Sequence, residues 1–323
     1  MPQTMKTTAN YLHLQRLSTE DGPGIRTTVF LKGCSLHCAW CHNPESIPTQ
    51  PLLQWLSRIC IGCESCVAAC PQEALTLNQE GLRIDRGVCQ LCGTCVEECP
   101  TNALEMLGGE ISAEDLTQEL LKDRAFFATS QGGVTLSGGE PALQPDFCIT
   151  VLQDLRSAGI HTALDTCCMV PCKNLERILP HVDMVMLDIK LIDARAHKEF
   201  TGAGNERILE NIRWVAEYAR TKRDDLTIWV RTPLIPGATA DEGNLQAIAQ
   251  FINENLHGLV ERWELCAFNN LCRDKYQRLG MQWDYRGTPL MTKEEMAACE
   301  DWARQNYYAP QTVFATGAAR SEE

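Results

Sequence analysis

The chain has 323 residues and carries 29 Lys and Arg against 42 Asp and Glu, which gives a formal net charge of −13. A chain this acidic is poorly suited to neutralise phosphates, and we therefore expect neither a nucleic acid nor a membrane as its partner. Its hydrophobic fraction of 44% and charged fraction of 22% are ordinary for a folded soluble protein. No apolar run approaches the ~18 residues of a membrane-spanning helix, and residues 1–10 lack an apolar export signal. These features predict a folded cytoplasmic protein.

The first predicted element is a strand over residues 26–32, which are β-branched and apolar, end at Gly33 and deliver Cys34 at the strand's end. Residues 51–107 form a cysteine-rich block with little helical or strand periodicity, which indicates an insertion. Beyond it, strand patterns alternate with helical spacing. The later predicted strands are 134–136, 162–164, 182–189, 226–231 and 262–268.

Two of the helical stretches have a clear apolar face. In one, Asp241 or Asn244 is a candidate N-cap and Gly258 lies just past the end. The apolar residues that share a face are Leu245, Ile248, Ala249, Ile252 and Leu256 in this helix, and Ile208, Ile212, Val215 and Ala219 in the other.

Repeated strand and helix units predict an α/β fold, because parallel neighbouring strands need crossover connections. Five or six units fit an incomplete (β/α)6-type barrel better than a closed eight-stranded one, with the active site at the carboxyl ends of the strands. We predict that residues 1–50 begin the barrel, that 51–107 are an inserted domain and that 108–323 complete the barrel.

Cysteine is the unusual residue, because 18 cysteines in a chain without an export signal indicate metal ligands rather than disulfides. Inside the insertion, the pattern C-x2-C-x2-C-x3-C-P occurs twice, 29 residues apart. This spacing is typical of proteins with two [4Fe–4S] clusters, in which the last cysteine of each run binds the other cluster. The predicted ligand sets are Cys60, Cys63, Cys66 and Cys99 for one cluster, and Cys70, Cys89, Cys92 and Cys95 for the second. A pair of zinc sites is the alternative, but it does not explain the repeated distant fourth cysteine.

A third motif, Cys34, Cys38 and Cys41, has the spacing C-x3-C-x2-C. Three thiolates on one loop can hold three irons of a [4Fe–4S] cube and leave the fourth iron open to a ligand. The alternative is a zinc site completed by His37 or His42.

With Trp40 before its last cysteine, this motif resembles the signature of the radical S-adenosylmethionine (SAM) superfamily. The flanking segments DGPGIRTT (21–28) and HNPE (42–45) resemble those of the glycyl-radical-enzyme activating enzymes, and the insertion resembles the subgroup with a ferredoxin-like two-cluster domain. The resemblance implies a radical SAM barrel with an inserted ferredoxin-like domain, three [4Fe–4S] clusters and bound SAM.

The resemblance also implies roles for individual residues. Cys34, Cys38 and Cys41 would hold the catalytic cluster, and a monovalent cation is expected near Asp165 and Asp188 together with Met186. The implied cofactor-binding residues are Trp40, His42, Asn43, Gly138, Gly139, Glu140, Asp165, Asp188, Ile189, Lys190, Arg231 and Asn269.

Three of these assignments have plain structural alternatives. The sequence GGEP (138–141) also suits a strand-to-helix turn, Lys190 suits a surface lysine and Arg231 suits a buried salt bridge. Two positions depart from the family pattern. Asn269 stands where the pyruvate formate-lyase activase has histidine, which puts an acid–base role there in question, and Cys168 stands where glycine is common.

By resemblance, the chain activates a partner glycyl radical enzyme. Reductive cleavage of SAM at the open cluster would give a 5′-deoxyadenosyl radical, which takes a hydrogen atom from a glycine of the partner. Flavodoxin or ferredoxin is the expected reductant. The alternatives are a radical SAM enzyme that acts on a small molecule or peptide, and an electron-transfer iron–sulfur protein.

Seven cysteines show no ligand spacing, and we expect them to be small buried hydrophobic residues. They are Cys148, Cys167, Cys168, Cys172, Cys266, Cys272 and Cys299.

Overall fold

The computed structural model describes residues 7–320. Its main sheet has nine strands in the order β13-β12-β11-β10-β9-β8-β2-β1-β7, in which β2 and β8 to β13 are parallel neighbours and β1 and β7 pair antiparallel. The strands are β1 Thr8–Ser18, β2 Arg26–Leu31, β3 Leu52–Trp55, β4 Leu75–Asn78, β5 Gly81–Ile84, β6 Leu104–Leu107, β7 Gly109–Ser112, β8 Gly133–Gly138, β9 His161–Thr166, β10 Met184–Asp188, β11 Thr227–Leu234, β12 Val260–Ala267 and β13 Val313–Thr316.

Helices α3 to α11 lie between the strands of the main sheet, whereas the short α1 and α2 lie among strands β3 to β6. They are α1 Ser65–Ala69, α2 Thr94–Glu97, α3 Ala113–Leu121, α4 Arg124–Ser130, α5 Pro145–Ser157, α6 Cys172–Ile178, α7 Ala194–Thr201, α8 Glu206–Lys222, α9 Glu242–Asn255, α10 Arg273–Arg278 and α11 Lys293–Arg304. Between residues 7 and 320, none of them is long and apolar enough to cross a membrane.

The structure confirms the predicted α/β alternation. Every predicted strand overlaps an observed one, from β2 through β8 to β12, and both predicted helix faces are buried on α8 and α9. Asp241 is the N-cap of α9, because its side chain accepts a hydrogen bond from Asn244 N at 3.0 Å. Asn244 lies inside the helix, and its Oδ1 accepts from Ile192 N at 3.2 Å, which ties α9 to the chain after β10.

The sequence did not predict β1, β7 or β13. β7 and β13 are the two edges of the sheet and have four residues each, too few to show a period. The main core lies between the sheet and its helices, where β2, β8 and β10 are almost completely buried. Burial on both faces explains why these strands read as continuous apolar and β-branched runs.

The insertion is more regular than its sequence predicted. β3 pairs antiparallel with β6, and β4 pairs with β5, so each two-stranded sheet joins one strand from each sequence repeat. A shift of 29 residues carries β3 onto β5, α1 onto α2 and β4 onto β6. The residues between β3 and β6 have their own apolar cluster around Leu53, Leu75 and Leu104. The repeat is therefore a pseudo-twofold structural repeat built from strands too short to be recognised individually.

The repeat extends to backbone conformation. Three pairs of positions that are 29 residues apart have positive φ in both members. These pairs are Gly62 and Leu91, Glu64 and Gly93, and Glu73 and Asn102.

Candidate active site

A cavity of about 690 Å³ lies at the carboxyl ends of the parallel strands, within the size range of pockets that bind small molecules. It is lined by residues from β1, from the chain just after β13 and from the strands between, so the sheet curves around it. Of the predicted site residues, the cavity brings together Cys34, Cys38, Trp40, Cys41, His42, Asn43, Gly138, Gly139, Asp165, Asp188, Lys190, Arg231 and Asn269. Glu140, Met186 and Ile189 do not belong to its lining.

Cys34, Cys38 and Cys41 lie on the loop that follows β2. The loop is held to its own return segment, where Gly33 N donates to Ser46 O at 2.7 Å and Cys34 N to Ile47 O at 3.0 Å. Burial raises the pKa of Cys38 to about 11 and also raises the pKa of Cys41. Iron binding would therefore displace protons from these thiols.

Residues 138–141, which we call the glycine loop, pack directly on residues 33–45, the cysteine loop. Gly139 N donates to Leu31 O at 2.9 Å, and Glu140 N donates to Gly33 O at 2.7 Å. A Cβ at Gly138, whose φ is +114°, would lie 2.3 Å from Leu31 N, and one at Gly139 would lie 2.2 Å from Gly33 O. The resemblance implied that Gly138 and Gly139 bind the cofactor. The structure shows that both glycines are required by the close approach of the chain's own backbone.

Glu140 is completely buried and holds the glycine loop to the end of β9. Its carboxylate accepts hydrogen bonds from Thr166 Oγ1 at 2.9 Å, Cys167 N at 2.8 Å and Ala142 N at 3.0 Å. Burial raises the pKa of Glu140, and these hydrogen bonds oppose the rise. Its observed contacts are therefore internal to the fold, and Ile189 is likewise buried, with its N donating to Arg231 O at 2.9 Å.

Charged side chains converge on one wall of the cavity. Lys190 Nζ forms an ion pair with Asp188 at 2.5 Å, so Lys190 is neither free nor exposed. Arg231 lies across the next strand, with Nε 3.1 Å from Glu264 Oε2 and Nη1 3.7 Å from Asp165 Oδ2. Burial opposes the charge of Arg231, but Cys266, Asp165 and Glu264 raise its pKa well above the usual value. Arg231 is thus both a salt-bridged core residue and part of the cavity wall.

Asp165 has an unused acceptor in this wall. Its Oδ2 accepts from Ser137 Oγ at 2.7 Å, while the buried Oδ1 has no hydrogen-bond partner within the described chain. Burial raises the pKa of Asp165 to about 6, with Arg231 opposing the rise and Asp188 adding to it. A buried acceptor without a partner fits a cationic or N–H-bearing ligand.

Asn269 contributes mainly through its backbone. Its carbonyl oxygen lies 3.0 Å from His42 Nε2, while its side-chain Oδ1 accepts from Leu271 N at 3.2 Å.

Trp40 is buried and its ring lies 6.1 Å from that of Phe200. His42 is the one of the two candidate zinc histidines that lines the cavity, and burial lowers its pKa.

A segment that the sequence did not single out binds the cysteine loop, and its Lys275 also lines the cavity. We call residues 273–283 the clasp. Lys275 Nζ donates to His42 O at 3.0 Å and lies 2.7 Å from Glu45 Oε1, Tyr276 Oη donates to Cys41 O at 2.9 Å, and Trp283 Nε1 donates to Ala39 O at 3.0 Å. These residues are at least 230 positions from their partners in sequence, and no short motif marked them.

Three of the unassigned cysteines also line the cavity: Cys167, Cys266 and Cys272. A hydrogen bond between Cys167 and Cys34 lowers the pKa of Cys34 and raises that of Cys167. Cys168 is buried behind them with a φ of +58°, the left-handed region that favours glycine. That backbone conformation explains why glycine suits this position.

The cysteines of the insertion line two separate recesses. One is lined by Cys60, Cys63, Cys66 and Cys99, and the other by Cys70, Cys89, Cys92 and Cys95. Each recess thus contains three cysteines of one repeat and the last cysteine of the other. Between residues 7 and 320, no group of three or more His, Cys, Asp or Glu side chains is arranged around a single metal ion.

Residues 28–246 match the radical SAM superfamily. The chain is 41% identical over 286 residues to the trans-4-hydroxy-L-proline dehydratase activating enzyme of Clostridioides difficile, a match covering 88% of this chain and 91% of that one. It is 42% identical over 275 residues to the isethionate sulfite-lyase activating enzyme of Desulfovibrio desulfuricans, covering 84% and 86%. Among solved structures, a spore photoproduct lyase variant has a similar fold, with a TM-score of 0.50, 11% identity and coverage of 94% and 80%.

The curved α/β sheet, with three cysteines at the carboxyl edge of its parallel strands, has the features of the protein class that these comparisons identify. The chain belongs to the radical SAM superfamily and, within it, to the activating enzymes. It is therefore an enzyme, and superfamily membership implies a [4Fe–4S] cluster and SAM. The cavity fits both groups, since it offers three cysteine thiols on one loop and the partnerless Oδ1 of Asp165.

Proposed function

We propose that the chain activates a partner glycyl radical enzyme. The observation that carries this proposal is the single cavity that contains Cys34, Cys38 and Cys41 beside the charged wall, in a chain related to activating enzymes. Cys34, Cys38 and Cys41 would hold a [4Fe–4S] cluster, which would supply one electron for reductive cleavage of SAM, and the hydrogen atom then removed would come from a glycine of the partner. The chain's own residues position the reactants and exclude water.

The charged wall suits the polar end of SAM. Asp165 Oδ1 has the free acceptor that an amino group or a monovalent cation needs, and Asp188 adds negative charge nearby. Lys190 and Arg231 balance these carboxylates and remain charged at neutral pH. Met186 pairs with Asp165 on the adjacent strand, which brings its backbone close to the proposed cation site although the residue does not line the cavity.

The relatives' names describe activators of a dehydratase and of a sulfite-lyase. We therefore propose a protein partner of the glycyl radical class, with a cytoplasmic flavodoxin or ferredoxin as reductant.

The radical itself provides the test. Anaerobic protein, SAM, reductant and partner should give an organic EPR doublet on the partner, because one α-hydrogen remains on a glycyl radical. Partner labelled with α-deuterated glycine should give a singlet instead. A doublet that does not collapse would contradict glycine as the site. SAM consumption with a modified small molecule and no protein radical would establish the small-molecule alternative.

We further propose that residues 51–107 form a ferredoxin-like domain with two more [4Fe–4S] clusters. The two four-cysteine recesses support this assignment, because each pools cysteines from both repeats as the spacing rule requires. The remaining residues, 1–50 and 108–323, would then constitute the barrel.

Iron content tests the three-cluster proposal. Reconstituted protein should bind about twelve irons per chain, and Cys66→Ala should bind about eight, because one cubane loses a ligand. Cys299→Ala is the matched control, since this buried cysteine lies on α11 and should keep the full content. Stoichiometric zinc with about four irons would contradict the two insert clusters and favour the zinc alternative.

The pKa of Asp165 predicts a pH dependence of SAM binding. With a pKa of about 6, Asp165 is protonated and neutral below that pH and is a carboxylate above it. SAM affinity measured by anaerobic calorimetry should therefore rise as the pH increases through about 6 and then level off. Asp165→Asn should bind SAM weakly, with an affinity that hardly varies over the same pH range. If the affinity of this variant still rose through about pH 6 as in the unaltered protein, the titration would belong to another group.

A further inference from the structure

The two halves of the insertion are equivalent in fold but differ in their contact with the barrel. The Arg86 guanidinium donates from Nε and Nη2 to Leu279 O, at 3.2 and 2.8 Å, and from Nη2 to Leu53 O at 2.9 Å. Leu279 is a buried residue of the clasp. The position 29 residues before Arg86 is Ser57, which has no guanidinium. The pseudo-twofold symmetry is therefore broken at a residue that joins the second half to the barrel.

Arg86 also lies against one particular recess. Leu53, whose carbonyl accepts from Arg86, lines the recess that contains Cys70, Cys89, Cys92 and Cys95. Arg86 precedes Cys89 by three residues. The other recess has Ile61 on its lining, a side chain that is 67% exposed.

The clasp connects this contact to the catalytic loop. Leu279 N donates to Lys275 O at 3.0 Å, and the next residue, Tyr276, donates through its hydroxyl to Cys41 O at 2.9 Å. The rings of Tyr276 and Trp283 are stacked at 5.2 Å with an interplanar angle of 13°, and Phe268 of the cavity wall lies 6.1 Å from Trp283. Hydrogen bonds and stacked rings thus form a continuous path from Arg86 to the cysteine loop.

We infer that Arg86 is a positioning residue that docks the second half of the insertion on the clasp, so that reducing equivalents reach the catalytic site from the Cys70, Cys89, Cys92 and Cys95 set. The inference rests on the proposed function and on the two-cluster assignment. One electron would leave the cluster held by Cys70, Cys89, Cys92 and Cys95 and would be gained by the cluster held by Cys34, Cys38 and Cys41. A flavodoxin- or ferredoxin-type carrier restores it, and no atom or proton changes place.

Arg86→Ala tests the docking, with Arg83→Ala as the matched control because Arg83 is an exposed arginine of β5 in the same domain. The first readout is the magnetic interaction between the reduced clusters, seen as faster EPR relaxation of the catalytic signal. Arg86→Ala should weaken it, whereas Arg83→Ala should not. The second readout is the rate at which the catalytic cluster is reduced, followed by freeze-quench EPR. It should fall about tenfold or more in Arg86→Ala, in line with other outer-sphere substitutions.

Ligand variants identify the recess. Cys95→Ala should remove most of the relaxation effect on the catalytic signal, and Cys66→Ala should retain it. Equal behaviour of Arg86→Ala and Arg83→Ala in both readouts, or loss of the effect in Cys66→Ala alone, would overturn the inference. After long chemical reduction, Arg86→Ala should still cleave SAM. Absence of SAM cleavage in the unaltered protein would instead overturn the proposed function.

Discussion

Replacing Cys38 by alanine is expected to abolish SAM cleavage while leaving the fold in place. Cys38 lines the cavity between Cys34 and Cys41, and a cubane cluster with one open iron needs all three thiolates. The loop follows β2, whose pairing with β1 and β8 does not involve this side chain. Iron content should fall by about four per chain. SAM cleavage to methionine and 5′-deoxyadenosine, and the glycyl EPR signal of the partner, should fall below detection.

Cys148→Ala is the matched control for this result. Cys148 is a completely buried cysteine of α5, outside the cavity, with its thiol donating to Pro141 O at 3.2 Å. Its loss should cost about 1–2 kcal/mol of folding free energy and leave iron content and SAM cleavage intact. Full SAM cleavage by the Cys38 variant would disprove the assignment of the catalytic cluster to this loop.

Sequence reasoning worked best where chemistry and regular structure coincide. The parallel strands are buried on both faces, so their apolar runs were visible, and the site motifs follow them because carboxyl ends of parallel strands meet at one edge. The resemblance implied that residues as distant as Cys34, Asp165 and Arg231 share a site at this edge, and the cavity does contain all three.

Contacts between distant segments could not be predicted in the same way. Lys275, Tyr276 and Trp283 bind the cysteine loop through its backbone carbonyls, and a backbone acceptor leaves no signature in the partner's sequence. Glu264 was missed for a similar reason, since a single glutamate in a buried strand indicates only that some cation must pair with it. The insertion presented a different difficulty, because its repeat was visible but its four-residue strands were not.

Gly139→Ala is expected to destabilise the protein even without iron or SAM. A Cβ at this position would lie 2.2 Å from Gly33 O and 2.9 Å from Ser46 O, and both oxygens belong to the backbone that positions Cys34. Backbone atoms cannot rotate away as a flexible side chain can, so the glycine loop and the cysteine loop must separate. We expect a loss of about 3 kcal/mol or more in the free energy of unfolding, measured by denaturant titration of the apoprotein.

Gly109→Ala is the matched control, because a Cβ there would have no neighbouring atom within 4 Å. It should change the free energy of unfolding by less than about 1 kcal/mol. The comparison separates two explanations of the glycine loop. If Gly139 served only to let SAM approach the backbone, its alanine variant would fold like the unaltered protein and lose SAM affinity alone. If the loop packs as the structure shows, the apoprotein is already destabilised, and the displaced Cys34 also lowers iron retention before SAM is added.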